Sequence, residues 1–372
     1  MGNIMDYVEW RGDLTFAQSP FNEVDNLILS CLSYVRLEGV DTIGFGQHRP
    51  LWQVSRQFFA QHEGEELLRD RSFTWQAPFL MQEMAKSRRF QDVLVGNYIS
   101  IIEDKMVTQF AMLEIILGDG TSYLAFRGTD DTLTGWKEDF YLTKGRMPAG
   151  EAAVTYLNQI GSESSYDLRI GGHSKGGYLA LYAAVSCLPE VQKKIIGIYS
   201  NDGPGYTAEF LSKARLSGML SKFYRYIPEE SIVGMLFEHS VHPVVVKSVQ
   251  KGVLQHNGFT WEVSGPSFEY AEELSKKSKR FQFIFHDWLE GIAPEQREMV
   301  IEDFFAVLTA TGASTLSGIY EGGFKNLRVM IKQIEFLHPE TREIVTELIR
   351  NLMLGRVKLE EKQEEMILIE KM

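Results

Sequence analysis

The chain has 372 residues, with 50 Asp and Glu against 38 Lys and Arg, a formal charge of −12 at pH 7. Its 44% hydrophobic and 24% charged content is that of an ordinary globular protein, which excludes a disordered or fibrous chain and supplies a sizeable core for one large domain or two smaller ones. The acidic balance repels phosphate backbones and anionic lipid, so nucleic acid is not an expected partner.

Only two cysteines, Cys31 and Cys187, are present, too few for a disulfide framework, and both fall in apolar helical patterns, as expected for buried thiols in the cytoplasm. Asp6, Glu9, Arg11 and Asp13 break any signal-peptide apolar region. No run approaches the roughly 18 apolar residues of a membrane span, and Asp6 stands where a myristoylation signal requires Ser or Thr. The expectation is a cytoplasmic protein with no integral membrane segment.

In chain order, the spacing predicts a helix over 22–36, where Val24, Leu27, Ile28, Cys31, Leu32 and Val35 recur at steps of three and four after a Ser19-Pro20 start. Weaker helical spacing between Pro50 and about Phe90, interrupted at Gly64 and Pro78, predicts short helices. After Asp92 the character changes. Segments 93–102, 106–117 and 122–126 are rich in Val, Ile, Leu, Tyr and Phe, and Gly118-Asp119-Gly120 joins the second to the third as a hairpin. Helical patterns at 152–160, 178–187 and 208–216 then alternate with strand patterns at 168–171, 195–199, 223–227 and 244–249. That alternation implies parallel strands with crossover helices covering both sheet faces. Beyond Pro266 the pattern is helical again, including 297–309 and 326–354, and the tail 358–371 mixes both charge signs as a solvated helix or frayed end, with a partner-binding helix as the alternative. The implied organisation is an N-terminal helical lead packed on the core (1–90), an α/β core (91–265) and a helical C-terminal extension (266–372).

Gly172-His173-Ser174-Lys175-Gly176 is a G-x-S-x-G sequence, and Gly177 follows it. Leu168-Arg169-Ile170 leads in as a strand and 178–185 leads out as a helix, the strand, tight turn and helix of a nucleophile elbow. Such a turn forces the serine into an unfavourable backbone conformation and leaves no room for side chains beside it, which accounts for the glycines. A helix-capping Ser in a Gly-rich turn is the plainer alternative.

A serine hydroxyl is a weak nucleophile until a base takes its proton, so an imidazole oriented by a carboxylate is required. The chain order Ser, acid, His removes His48 and His62, and His173 inside the elbow is expected to pack or bond locally. His256 is the candidate base, in a polar Gln255-His256-Asn257-Gly258 loop after the last clear strand. His239 and His242 beside Glu238 raise metal binding, but the spacing lacks the His-Glu-x-x-His form and no Cys pair or Asp cluster joins it, so no metal and no organic cofactor is expected. His286 is expected to cap or pack. The candidate acid is Asp202, in Asn201-Asp202-Gly203-Pro204-Gly205 at the end of a strand, where an Asx turn is the competing explanation. Glu230, after the next strand with Glu229, is the fallback acid. The oxyanion donors are expected to be the backbone N–H groups of Lys175 and of Thr129, in Phe126-Arg127-Gly128-Thr129 after an earlier strand.

Residues 124–129 with Trp136 and Asp139, and the Gly172-His173-Ser174-Lys175-Gly176-Gly177 elbow, resemble the class 3 (fungal-type) lipases of the α/β-hydrolase superfamily. The opening residues 6–13, Phe21-Asn22-Glu23-Val24-Asp25 and the turn 201–205 resemble, over most of the chain, a bacterial family of class-3-lipase-like proteins. The resemblance implies a three-layer α/β-hydrolase sandwich and esterase or lipase-like cleavage of a small-molecule acyl ester through an acyl-enzyme. Two departures stand out. Lys175 replaces the Leu that follows the nucleophile in those lipases, which biases the site toward anionic substrates. Ser231-Ile232-Val233 occupies the place of their Asp-x-Val, which shifts the acid to Asp202, as in pancreatic-type lipases. A hydrolase-fold binding or regulatory protein with little turnover, and a thioesterase or acyltransferase using the same serine, are the alternatives. Segment 131–143, where a lid would lie, has no long amphipathic pattern.

Overall fold

The computed structural model describes residues 2–349 apart from 63, 68–71, 73, 104–107, 130–132, 134, 136, 138–147, 292–293, 316–317, 320–321 and 347. Trp136, Asp139, nearly all of segment 131–143, and the tail 358–371 therefore lie outside the described residues. The chain divides into two compact units, Met1–Asp130 with Leu142–Gln282, and Asp131–Tyr141 with Phe283–Met372.

The first unit is built on an eight-stranded sheet in simple sequence order: β1 (His48–Pro50), β2 (Leu94–Glu103), β3 (Thr108–Ile116), β4 (Thr121–Phe126), β5 (Asp167–His173), β6 (Ile195–Asn201), β7 (Phe223–Pro228) and β8 (Val244–Val246). Strands β1 to β4 pair antiparallel, with the Gly118-Asp119-Gly120 hairpin between β3 and β4, and β4 to β8 pair parallel. The fold is α/β. Strand β1 and the two-stranded ribbon β9 (Val263–Ser264) with β10 (Ser267–Phe268) have no counterpart in the strand patterns, because two or three residues carry no readable alternation.

Both sheet faces are covered, but the crossover helices supply only one of them. Helices α5 (Pro148–Glu163), α6 (Lys175–Ser186), α7 (Pro189–Lys194) and α8 (Ala208–Leu216) share one core with Leu124, Phe126, Leu168, Ile170 and Ile198. Strands added always on the same side, through right-handed connections, place every crossover on the same face. The other face is closed by α1 (Ile4–Arg11), α2 (Glu23–Leu32), α3 (Leu51–Gln61) and α4 (Ala77–Met84), whose core includes Leu113, Ile115, Tyr123 and Ala125. The N-terminal helices are thus a layer of the sandwich.

Helix α2 starts at a capping box. The Asn22 side chain accepts from the N–H groups of Val24 and Asp25, and the Asp25 carboxylate accepts the N–H of Asn22. Asp25 is fully buried, and burial raises its pKa against the opposing pull of Arg89. Arg89 meets it with Nε at 2.8 Å and Nη2 at 2.5 Å, gives Nη1 to the carbonyls of Leu14 and Ser19, and lies over the Phe16 ring. One guanidinium so ties α2, the 12–20 turn and the segment before β2.

In the second unit, α10 (Pro294–Thr309) and α11 (Gly323–Ile334) contribute to buried positions Val300, Phe304, Phe305, Leu308 and Met330. Lys137 pairs with Glu302, and the Thr341 hydroxyl donates to Asp303. Helix α9, Lys276–Gly291, begins within the first unit, which runs to Gln282. Among the described residues no helix is long and apolar enough to cross a membrane.

Removing one member of a buried ion pair strands the other charge. Arg89→Leu is predicted to lower the unfolding free energy by about 3–5 kcal/mol, and Asp25→Asn/Arg89→Leu to regain part of it, read by urea denaturation.

Candidate active site

The parallel register sets the site. Phe126, Gly172 and Ser200 lie side by side on β4, β5 and β6, and His173, Asn201 and Tyr226 do so on β5, β6 and β7. The next residues, Ser174 and Asp202, leave the sheet together at its carboxyl edge, where open α/β sheets bind ligands. Both have a positive φ, 57° at Ser174 and 51° at Asp202, a region that non-glycine residues seldom enter.

Ser174 stands at the N-cap position of α6 with no capping bond from its side chain, and its N–H donates to the carbonyl of Asn201 at 2.9 Å. The elbow is packed as tightly as the sequence implies. A Cβ at Gly176 would stand 2.0 Å from the carbonyl oxygen of Phe126, which is backbone and cannot yield. The helix therefore starts flush against the end of β4.

His256 closes a short 3-10 segment, Gly252–His256, and is 5% exposed. Its Nε2 lies 3.0 Å from Ser174 Oγ, and its Nδ1 lies 2.6 Å from Asp202 Oδ2. A carboxylate only accepts, so Nδ1 carries the proton and the serine hydroxyl donates to Nε2. The other oxygen of Asp202 accepts from the Ser231 hydroxyl at 2.5 Å and the Gly234 N–H at 3.2 Å. Asp202 is wholly buried and anchored on both oxygens.

Glu230 does not meet the imidazole. Its carboxylate accepts the N–H of Gly252, and its own N–H donates to Gln255 Oε1 at 2.8 Å. It braces both ends of the segment that carries His256, with Trp261 Nε1 bonding the carbonyl of Gln255 from behind.

The segment expected to supply an oxyanion donor runs against the elbow. A Cβ on Gly128 would lie 3.1 Å from the Ser174 Cβ and 2.4 Å from the His173 carbonyl, and Thr129 follows, 8% exposed. Lys175 is the first residue of α6. Its side chain is fully buried, and Nζ donates to the carbonyl of Gln109 on β3 at 3.1 Å.

His173 does not bond locally. Nδ1 lies 2.9 Å from the Tyr34 hydroxyl and Nε2 lies 2.6 Å from the carbonyl of His256, partners far away in the chain. Burial, followed by the nearby His256, pushes its pKa down to about 3. Composition and spacing missed three further residues. Asn26 and Ser30 of α2 bond the side chain of Asn201, whose carbonyl holds Ser174, and Tyr34 lies just past the same helix. An unbroken polar line, Asn26, Ser30 and Ser33, inside the apolar α2 pattern was the available signal.

His239 is half-buried with Nε2 3.2 Å from Arg225 Nη2, and desolvation followed by that guanidinium holds it well below the usual histidine range. Among the described residues no group of three or more His, Cys, Asp or Glu side chains could hold a metal ion.

The histidine shifts have a sign. His173 titrates near 6.5 when unfolded and near 3 when folded, so between those values the unfolded chain binds a proton that the folded one does not. Stability is predicted to fall on acidification through that window, by at most about 1.4 kcal/mol per pH unit for this group. His173→Gln should flatten the slope, measured as unfolding free energy against pH.

The Rhizomucor miehei lipase in its propeptide complex is 18% identical over 45% of this chain and 70% of its own, with a TM-score of 0.32. The M37 lipase is 18% identical over 57% of this chain and 69% of its own, with a TM-score of 0.36. A fungal lipase–inhibitor complex described as a model for interfacial activation is 19% identical over 45% and 68%, with a TM-score of 0.31. No curated protein matches the chain. The family model described as Mbeg1-like matches residues 84–306, well over half of the sequence. The chain belongs to the Mbeg1-like family.

Proposed function

We propose that the protein is a serine hydrolase that cleaves small carboxylic esters through an acyl-enzyme. The observation that carries this reading is the continuous line from Ser174 Oγ to His256 Nε2 at 3.0 Å and from His256 Nδ1 to Asp202 Oδ2 at 2.6 Å. Both distances are within the reach that general-base activation of a serine needs.

In this reading Ser174 Oγ attacks the ester carbonyl carbon as its proton passes to His256 Nε2. Asp202 keeps the proton on Nδ1 and stabilises the imidazolium that forms. The oxyanion is taken up by the N–H groups of Thr129 and Lys175, the latter at the head of a helix, where backbone donors and the macrodipole favour negative charge. When the intermediate collapses, the leaving alcohol takes the proton from Nε2. Water then gives its proton to the same nitrogen and attacks the acyl carbonyl, and the carboxylic acid departs as Ser174 recovers its hydrogen. The chemistry draws on no metal or organic cofactor. Two free buried thiols, Cys31 and Cys187, support a cytoplasmic setting.

A fluorophosphonate should label Ser174, and Ser174→Ala should remove both labelling and hydrolysis of short acyl esters. Unchanged hydrolysis in that variant contradicts the assignment. Asp202→Asn should lower kcat by roughly 10³- to 10⁴-fold, because the ring loses the partner that fixes its tautomer. Glu230→Gln should retain most activity. An ester series of graded acyl length identifies the preferred substrate.

A further inference from the structure

We infer that Tyr34 and His173 act as a positioning pair that fixes the main chain of His256, and so the reach of its ring to Ser174, an inference that rests on the hydrolytic reading of this site. The direction of each bond follows from chemistry. The carbonyl of His256 can only accept, so the nitrogen 2.6 Å away, Nε2 of His173, carries the proton. A neutral imidazole then leaves Nδ1 as an acceptor, and the Tyr34 hydroxyl donates to it at 2.9 Å. The chain of donation runs from Tyr34 through His173 to His256. Asp202 holds the ring of His256 and His173 holds its carbonyl, two points that together prevent the side chain from swinging.

The same hydroxyl reaches the oxyanion segment, since a Cβ on Gly128 would stand 2.2 Å from Tyr34 Oη. Tyr34 thus sets the spacing between the residue before Thr129 and the support of the base. His173 must also stay neutral for this task. Its ring centroid is 4.6 Å from that of His256, and a second positive charge there would oppose the imidazolium formed when Ser174 attacks. Burial of His173 prevents that charge. Misplacement of a catalytic group by about 1 Å costs about 10²-fold in rate, the scale of effect available to such a support.

The test uses the full chain, NMR of the imidazole nitrogens and hydrolysis of a p-nitrophenyl ester. Expected in the wild type are a proton on Nε2 of His173 with Nδ1 bare, and a low-field proton on Nδ1 of His256 from its bond to Asp202. His173→Gln, whose amide can still donate to the carbonyl, should keep the low-field proton, and His173→Phe should lose it. Tyr34→Phe and His173→Phe should lower kcat by about 10- to 100-fold with KM nearly constant, and His173→Gln should recover most of that loss. A His173 proton on Nδ1 in the wild type overturns the pairing, whether or not any variant folds. So does a kcat that His173→Phe and Tyr34→Phe leave untouched. Failure of the wild type to take up a fluorophosphonate overturns the hydrolytic reading alone, and the NMR outcomes still decide the pair.

Discussion

At φ 57° the backbone of Ser174 occupies a region that non-glycine residues enter only when their surroundings hold them there, at a cost of about 1–3 kcal/mol. The surroundings here are specific. The N–H of Ser174 donates to Asn201, its carbonyl accepts the N–H of Gly177, and the first turn of the following helix is pressed against the carbonyl of Phe126. Asn201 is fixed in turn by Asn26 and Ser30 on α2. The strain at the elbow is thus supported by a helix from the opposite layer of the sandwich, more than a hundred residues earlier in the chain.

That dependence explains why the N-terminal helices belong to the same compact unit as the sheet. The sheet adds its parallel strands in one direction, so its crossover helices leave the second face uncovered. Helices α1 to α4 cover it with an apolar core and also carry polar side chains to the carboxyl edge. Asn26, Ser30 and Tyr34 stand along one stretch of chain and touch Asn201 and His173. The buried Asp25–Arg89 pair clamps the start of the same helix. The stability of this layer and the geometry of the site are therefore coupled through α2.

Much of this was legible in the sequence, for physical reasons that differ by element. The elbow could be read because strand, turn and helix are contiguous, and the glycines are demanded by contacts within a few residues or with the neighbouring strand. His256 and Asp202 could be read because each follows a strand whose carboxyl end must lie at one edge. The support of Asp202 could not. Ser231 stands where the resemblance to fungal-type lipases places an acid, and only the fold brings its hydroxyl to the carboxylate. The expectation that crossovers cover both faces failed because alternation reveals connectivity and not the order in which strands are added. Of the two expectations for His173, packing or local bonding, the ring packs in the interior, and its hydrogen-bond partners come instead from distant segments.

Ser174 can act as proposed only if its hydroxyl becomes acylated. Rapid mixing with a p-nitrophenyl ester, followed by acid quench and peptide mass analysis, measures this directly. Expected are a burst of about one equivalent of nitrophenol and an acyl group on the peptide that contains Ser174. Sustained hydrolysis with the acyl group on another residue, or with no acylated peptide under conditions that trap one from a known serine esterase, would contradict that role.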